Sequence, residues 1–136
     1  MSDLAFSSSL RSHKVIYTLD AVAGFVPGLV LIFLHAPLAE LIGAPHYAGF
    51  IAVIGAFLVP WGLYNYAIGT AGRPARSAMI TNIIGDGLWV VLSVILIALH
   101  ASQFNLLGLA LLVAQALFVL LVFLIKLYGA RSLHHG

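Results

Sequence analysis

Asp86 stands in the stretch "NIIGDGLWVV", residues 82–91, among isoleucines, glycines and valines, and it is one of only four acidic residues in the chain. Asn82 lies one helical turn before it, and Ser93 and His100 follow at successive intervals of seven. On a helix all four therefore project from nearly one side. An aspartate at the centre of a membrane helix costs about 2.5 to 3.5 kcal/mol on insertion scales, and such groups face a bundle interior or water. At 1.5 Å per residue Asp86 lies about 12 Å, and Gln115 about 15 Å, from the inner ends of their apolar segments, so the two are expected to meet at one depth. Asp20, Asn65 and Asn82 fall nearer the inner face and form a second, shallower polar group.

Two chemistries suit these residues. A neutral Asp86 would donate a hydrogen bond to Gln115, Asn82 or a backbone carbonyl and link helices, an interaction worth about 0.6 to 2 kcal/mol in a membrane. Alternatively, Asp20 and Asp86 would frame a proton or cation site. The interhelical bond is the expected role, and the proton or cation site its rival.

Histidines are the other candidates. His35, His46 and His100 are expected together on the face opposite the basic residues, where they would offer imidazoles to zinc or copper, or an axial pair to a haem. They have no local ligand spacing, so no metal and no cofactor is predicted. Cysteine is absent, which removes thiolate sites, disulfides and thiol nucleophiles. The sequence has no nucleophile elbow, no zinc-protease helix, no phosphate loop and no paired carboxylates on one helix, so it is not expected to be an enzyme.

The elements that must carry these residues follow from composition. With 62% hydrophobic and only 7% charged residues, the chain has a membrane composition rather than a soluble one. A helical span needs about 20 largely apolar residues, and four segments qualify: residues 15–34, 49–68, 78–99 and 104–125. The expected architecture is all-α, an antiparallel four-helix transmembrane bundle with short loops. Residues 1–14 and 126–136 are expected to be polar tails. The first segment is too long for a signal-peptide core, contains Asp20 and lacks a small-x-small cleavage site, so it is expected to remain as a span.

Arg11, Lys14, Arg73, Arg76, Lys126 and Arg131 all fall on one side of this topology, which by the positive-inside rule places both termini in the cytoplasm of a bacterial inner membrane. Tyr17, Tyr64, Tyr66 and Tyr128 would anchor that inner interface, and Tyr47 the outer one. The scattered basic residues give no support for nucleic-acid binding. Between spans one and two, Pro37 and Pro45 bracket an apolar stretch around Glu40 that suits either a short interfacial helix or a plain turn.

Small residues mark the expected contact faces: Gly24 and Gly28 in span one, Gly55 and Gly62 with Gly69 in span two, and Gly108 seven before Gln115 in span four. "LVLIFLHA" (29–36) also resembles "VILIALHA" (94–101), with Asp20 and Asp86 at nearly matched distances upstream, as a duplicated helix pair would have.

The "LD" and following glycines of the first span, "GAP" in the outer loop, "VPWGLY", the inner "RP" and "DGLWVVLSVILIA" resemble small four-span bacterial membrane proteins of unassigned function. The likeness covers most of the chain in mainly apolar motifs. It implies asparagine at the position of Asp86, followed by the Leu88 and Trp89 seen here, so the acid is a departure that counts against an obligatory proton carrier. The functional expectation is an interaction or accessory subunit of a membrane complex, as a homo-oligomer or with larger partners in the lipid bilayer. The alternative is a small proton-coupled or cation-handling carrier using Asp86 and Asp20.

Overall fold

Each long apolar stretch of the sequence becomes one helix. The computed structural model describes residues 2–135, with side chains described over residues 12–131. Five α-helices follow in order: α1 (Ser2–Phe33), α2 (His35–Leu41), α3 (Ala48–Thr70), α4 (Arg76–His100) and α5 (Leu106–His135), with single 3₁₀ turns at Pro45–Tyr47 and Ala101–Gln103. Four segments are long and apolar enough to cross a bilayer: Ser12–Phe33, Pro45–Thr70, Arg76–Gln103 and Leu106–Arg131. The chain is a small all-α polytopic membrane protein. Leu88, Leu92, Leu106 and Leu121 lie on its outside, where hydrocarbon rather than water is the solvent.

The helices overrun the expected spans at one end. α1 starts inside the expected N-terminal tail, and α5 continues through the expected C-terminal one. Counting apolar residues finds where hydrocarbon ends, whereas a helix ends where its backbone ladder is broken. No proline lies in residues 1–14 or 126–136. Between α3 and α4 the ladder does break, where Pro74 precedes the first helical residue, Arg76.

Glycine decides the closest contact, that of α1 with α3. Gly55, Gly62 and Gly69 recur every second turn along one face of α3 and meet α1 along its length. A Cβ at Gly55 would lie 2.7 Å from Gly28 O, and one at Gly62 would lie 2.9 Å from both Ala21 O and Phe25 N. With no side chain in the way the backbones approach, and dispersion supplies the attraction that the hydrophobic effect cannot supply in lipid. Gly24 and Gly28 are buried on the opposing face of α1.

Of the two readings of the first outer loop, the short helix is correct. α2 ends in a Schellman motif: Gly43 takes φ 77°, its N–H donates to Glu40 O, and Ala44 N–H donates to Ala39 O. Asn105 fastens this motif to the start of α5. Its Nδ2 donates to Leu41 O at 2.8 Å, its backbone N–H to Ile42 O at 2.9 Å, and its Oδ1 caps α5 by accepting from Gly108 N–H at 2.9 Å. Gly108 is small because Ile42 sits against it.

At the other end Lys14, Arg73, Arg76 and Arg131 are exposed, and this is called the basic end below. The side chain of Arg11 lies outside the described residues. Just inside, Ile16, Tyr17, Ile68, Met79 and Val122 form the apolar cluster of the bundle. Tyr17 is therefore a core residue, 1% exposed, and not the interfacial anchor expected of it.

Candidate functional site

Among the described residues, the bundle buries two that the sequence assigns to its polar tails, His13 and Lys126. Lys126, 1% exposed, points from α5 into the space between the helices. Its Nζ donates to Asp20 Oδ2 at 2.6 Å, Asp86 Oδ2 at 2.7 Å, and Asn65 Oδ1 and Asn82 Oδ1 at 2.8 Å each. These partners come from α1, α4, α3 and α4 respectively, so every spanning helix contributes to one ammonium. Of the basic residues counted toward orientation, Lys126 is thus taken out of the exposed set, while Lys14, Arg73, Arg76 and Arg131 stay exposed at the basic end.

Helical register explains how the shell assembles. On α1, His13, Tyr17, Asp20, Gly24 and Gly28 recur at steps of four, three, four and four, and all are buried. On α4, Asn82 and Asp86 are one turn apart and buried with Ser93. On α5, Val122 lies one turn before Lys126 and is also buried. Tyr17 closes the fifth side of the site, with Nζ 4.6 Å from its ring centroid, a cation–π contact.

The site is electrostatically demanding. Taking an ion from water costs several kcal/mol even after relaxation, and the cost is offset only when hydrogen bonds surround it. Here the lysine side chain has no exposure, and those of Asp20 and Asp86 have 12% and 5%. Two carboxyl groups face one ammonium. An ammonium has three N–H groups, so four acceptors exceed its donors by one. Two buried polar atoms beside the site, Tyr17 Oη and Asn82 Nδ2, have no hydrogen-bond partner among the described residues.

A small cleft of about 20 Å³, room for about one water, lies beside Lys126 between α1 and α5, lined by Ser12, His13, Tyr17, Lys126 and Gly129 among others. His13 is buried at its edge, with Nε2 3.1 Å from Ile68 O and its ring 4.5 Å from that of Tyr17. Toward the opposite end, aromatic side chains sit against the shell. Trp61 fills the space left by Gly85 next to Asp86, and Phe57 stacks on both Trp61 (5.6 Å) and Trp89 (6.1 Å).

The expected meeting of Asp86 with Gln115 does not occur. Gln115 belongs to a separate layer, in which Trp89 Nε1 donates to Gln115 Oε1 at 2.7 Å and Gln115 Nε2 donates to Ser93 Oγ at 3.0 Å and to Leu112 O. The depths do not match: Gln115 lies level with Trp89 and Ser93, one to two turns along α4 from Asp86, so Asp86 is engaged by Lys126 and Trp89 supplies the donor that Gln115 needs. Of the six intramembrane polar residues singled out from the sequence, Asp20, Asn65, Asn82 and Asp86 converge, while Gln115 and Ser93 form the second pair. Lys126, Tyr17, His13 and Trp89 were missed. A usable signal was present for Lys126: it lies eleven residues, three helical turns, after Gln115 on the same face.

The three histidines expected to share a face do not form one ligand set. Gln103 bridges two of them, 3.0 Å from His46 Nε2 through Oε1 and 3.0 Å from His100 Nδ1 through Nε2. His35 Nδ1, at the start of α2, instead lies 2.8 Å from Ile32 O at the end of α1. Among the described residues, no group of three or more histidine, aspartate or glutamate side chains is arranged to hold a metal ion. Comparison with family models, with curated proteins and with solved structures returned no match, so the chemistry of the Lys126 shell must speak for itself.

Proposed function

We propose that this membrane protein handles protons at the Lys126–Asp20–Asp86 cluster, in the manner of a small proton-coupled carrier. One observation carries the reading: a single buried lysine is shared by two aspartates on different helices. Ionisable groups inside a membrane are costly, and they characteristically mark relays and ion pathways. With both carboxylates charged the cluster would hold an uncompensated negative charge in low dielectric, so an additional proton or cation is favoured there. The cleft beside Tyr17 and His13 supports proton access from the basic end. By the positive-inside rule that end faces the cytoplasm of a bacterial inner membrane, with both termini inside.

A second reading, an accessory subunit in a homo-oligomer or larger complex, has its own support. Trp61 sits against Gly85 beside Asp86 and continues through Phe57 to Trp89 in a stack of rings, so a route to the opposite face would draw on a second chain. The four-helix bundle then contributes a half-channel.

The test is reconstitution in liposomes with a trapped pH dye under an imposed potential. Proton-handling predicts flux that Lys126→Gln and Asp86→Asn both abolish. Flux that is absent in the parent, or unchanged in both variants, rejects it. Co-purification of a larger membrane complex in mild detergent is expected on the second reading, and an isolated particle with full flux would overturn that.

A further inference from the structure

The Lys126 side chain has no exposure of its own, and the cleft beside it has room for about one water. Around Lys126 the lining of that cleft offers the apolar Ile16 and Ile125, the Ser12 hydroxyl, the Tyr17 phenol and one imidazole, that of His13. Of these side-chain types, the imidazole is the one whose charge changes between about pH 5 and 8. We propose that His13 is the residue through which protons pass between the basic end and the Lys126 cluster. The inference rests on the proton-handling reading and assigns its entry point.

His13 is built into the fold. It is 3% exposed and stands one helical turn before Tyr17 on the buried face of α1. Its Nε2 lies 3.1 Å from Ile68 O, and a carbonyl can only accept, so Nε2 carries a hydrogen and the neutral ring keeps its lone pair on Nδ1. Nδ1 is therefore the atom that takes and gives the proton. Ile68 belongs to the last turn of α3, whose carbonyls lie at the negative end of the helix and favour an imidazolium. Burial and the ammonium groups of Lys14 and Lys126 oppose it. With influences of both signs on the ring, neither protonation state is locked in.

Tyr17 stands between the two groups. Its ring lies 4.5 Å from that of His13 and 4.6 Å from Lys126 Nζ. A water in the cleft beside it needs two to four polar partners, and the lining side chains carry the Ser12 hydroxyl, His13 Nδ1, Tyr17 Oη and Lys126 Nζ.

Inward transfer balances. The Nδ1–H bond of the imidazolium breaks and its electron pair stays on nitrogen. The proton joins the water, which passes one of its own to Nζ as Nζ gives one to Asp86 Oδ2 along their 2.7 Å hydrogen bond. The result is a neutral His13, an unchanged ammonium and a protonated Asp86. Outward transfer reverses each step. Groups on every packed element bear on the imidazole: Lys14 and Tyr17 on α1, Tyr64 on α3 against the cluster that holds Tyr17, and Lys126 on α5, while α4 brings the apolar Met79.

The experiment follows proton flux through the full chain in liposomes across about pH 5 to 8. His13→Gln keeps a donor for Ile68 O but has no group that titrates. Flux is expected to fall at least about tenfold and to lose its dependence on pH in this range, while the voltage at which flux reverses stays the same, because an entry residue sets rate and not driving force. A residue that merely pinned α1 to α3 would be replaced by glutamine without loss. Lys14→Gln changes an exposed side chain, so this arm does not depend on a buried substitution folding. Removing that positive neighbour eases protonation of the imidazole, so the rate against pH should move to higher pH in the parent and not in a His13→Gln background. Undiminished flux in His13→Gln, or a pH profile that Lys14→Gln leaves in place, overturns the entry role and leaves the proton-handling reading standing. A parent with no flux removes both.

Discussion

Lys126 Nζ donates to Asp86 Oδ2 at 2.7 Å, joining α5 to α4 where the lysine side chain is wholly buried. The same nitrogen reaches Asp20 on α1 and Asn65 on α3, so one side chain ties together helices that otherwise pack as two closer pairs, α1 with α3 and α4 with α5. An apolar solvent gives helices little reason to associate beyond packing. A shared ion therefore has a large part in fixing how the two pairs sit against each other.

Removing the ammonium should be costly because it leaves two carboxyl groups facing each other. Lys126→Met is expected to lower stability by about 3 to 5 kcal/mol in reversible unfolding from mild detergent. Adding Asp20→Asn and Asp86→Asn to Lys126→Met should recover much of the loss, since the triple variant carries no unpaired charge. Additive losses would show that the three groups act independently.

The α1–α3 contact should respond sharply to single methyl groups. Gly62→Ala puts a Cβ 2.9 Å from Ala21 O, and overpacking of this kind costs about 1 to 3 kcal/mol. Gly49→Ala meets nothing within 4 Å and should be neutral or slightly stabilising. Thermal denaturation in one detergent compares the two directly, and equal midpoints would contradict the packing described.

Asn105 holds the end of α2 to the start of α5. Asn105→Ala should cost about 1 kcal/mol as a lost cap and bridge. Faster amide exchange is expected at Gly108, Gly43 and Ala44, with the Lys126 shell unchanged. Exchange rates that rise uniformly along α5 would instead mean that the bridge supports the whole bundle.

Orientation can be read cleanly because the chain has no cysteine. Gly72→Cys and Ser102→Cys, both at exposed loop positions, should react with an impermeant thiol reagent from opposite sides of the membrane. In intact cells only Ser102→Cys should be labelled. Labelling of Gly72→Cys alone would reverse the topology.

Gln115→Leu should leave the lysine shell intact while freeing Trp89 Nε1 and Ser93 Oγ from their partner. A loss of about 0.6 to 2 kcal/mol is expected. A shift in Trp89 emission, isolated by Trp61→Phe, reports the freed indole, and no shift would argue against the bond.

What the sequence determined by itself was the part governed by solvent. Long apolar runs and sparse charge specify four spans, because hydrocarbon accepts no unpaired backbone. Small residues at regular spacing marked Gly24, Gly28, Gly55 and Gly62 as contact positions, because close approach requires the absence of a side chain. Asp20, Asn65, Asn82 and Asp86 were legible as buried polar groups for the same reason of cost. Their partner was not, since Lys126 sits at the end of an apolar run, where a charge is ordinarily solvated and a hydropathy count stops. Only the tertiary structure decided otherwise. Helix rotation brought Lys126 inward, a continuous α5 carried it within reach, and four oxygens from three other helices made its burial tolerable. None of these facts is local to the sequence around it.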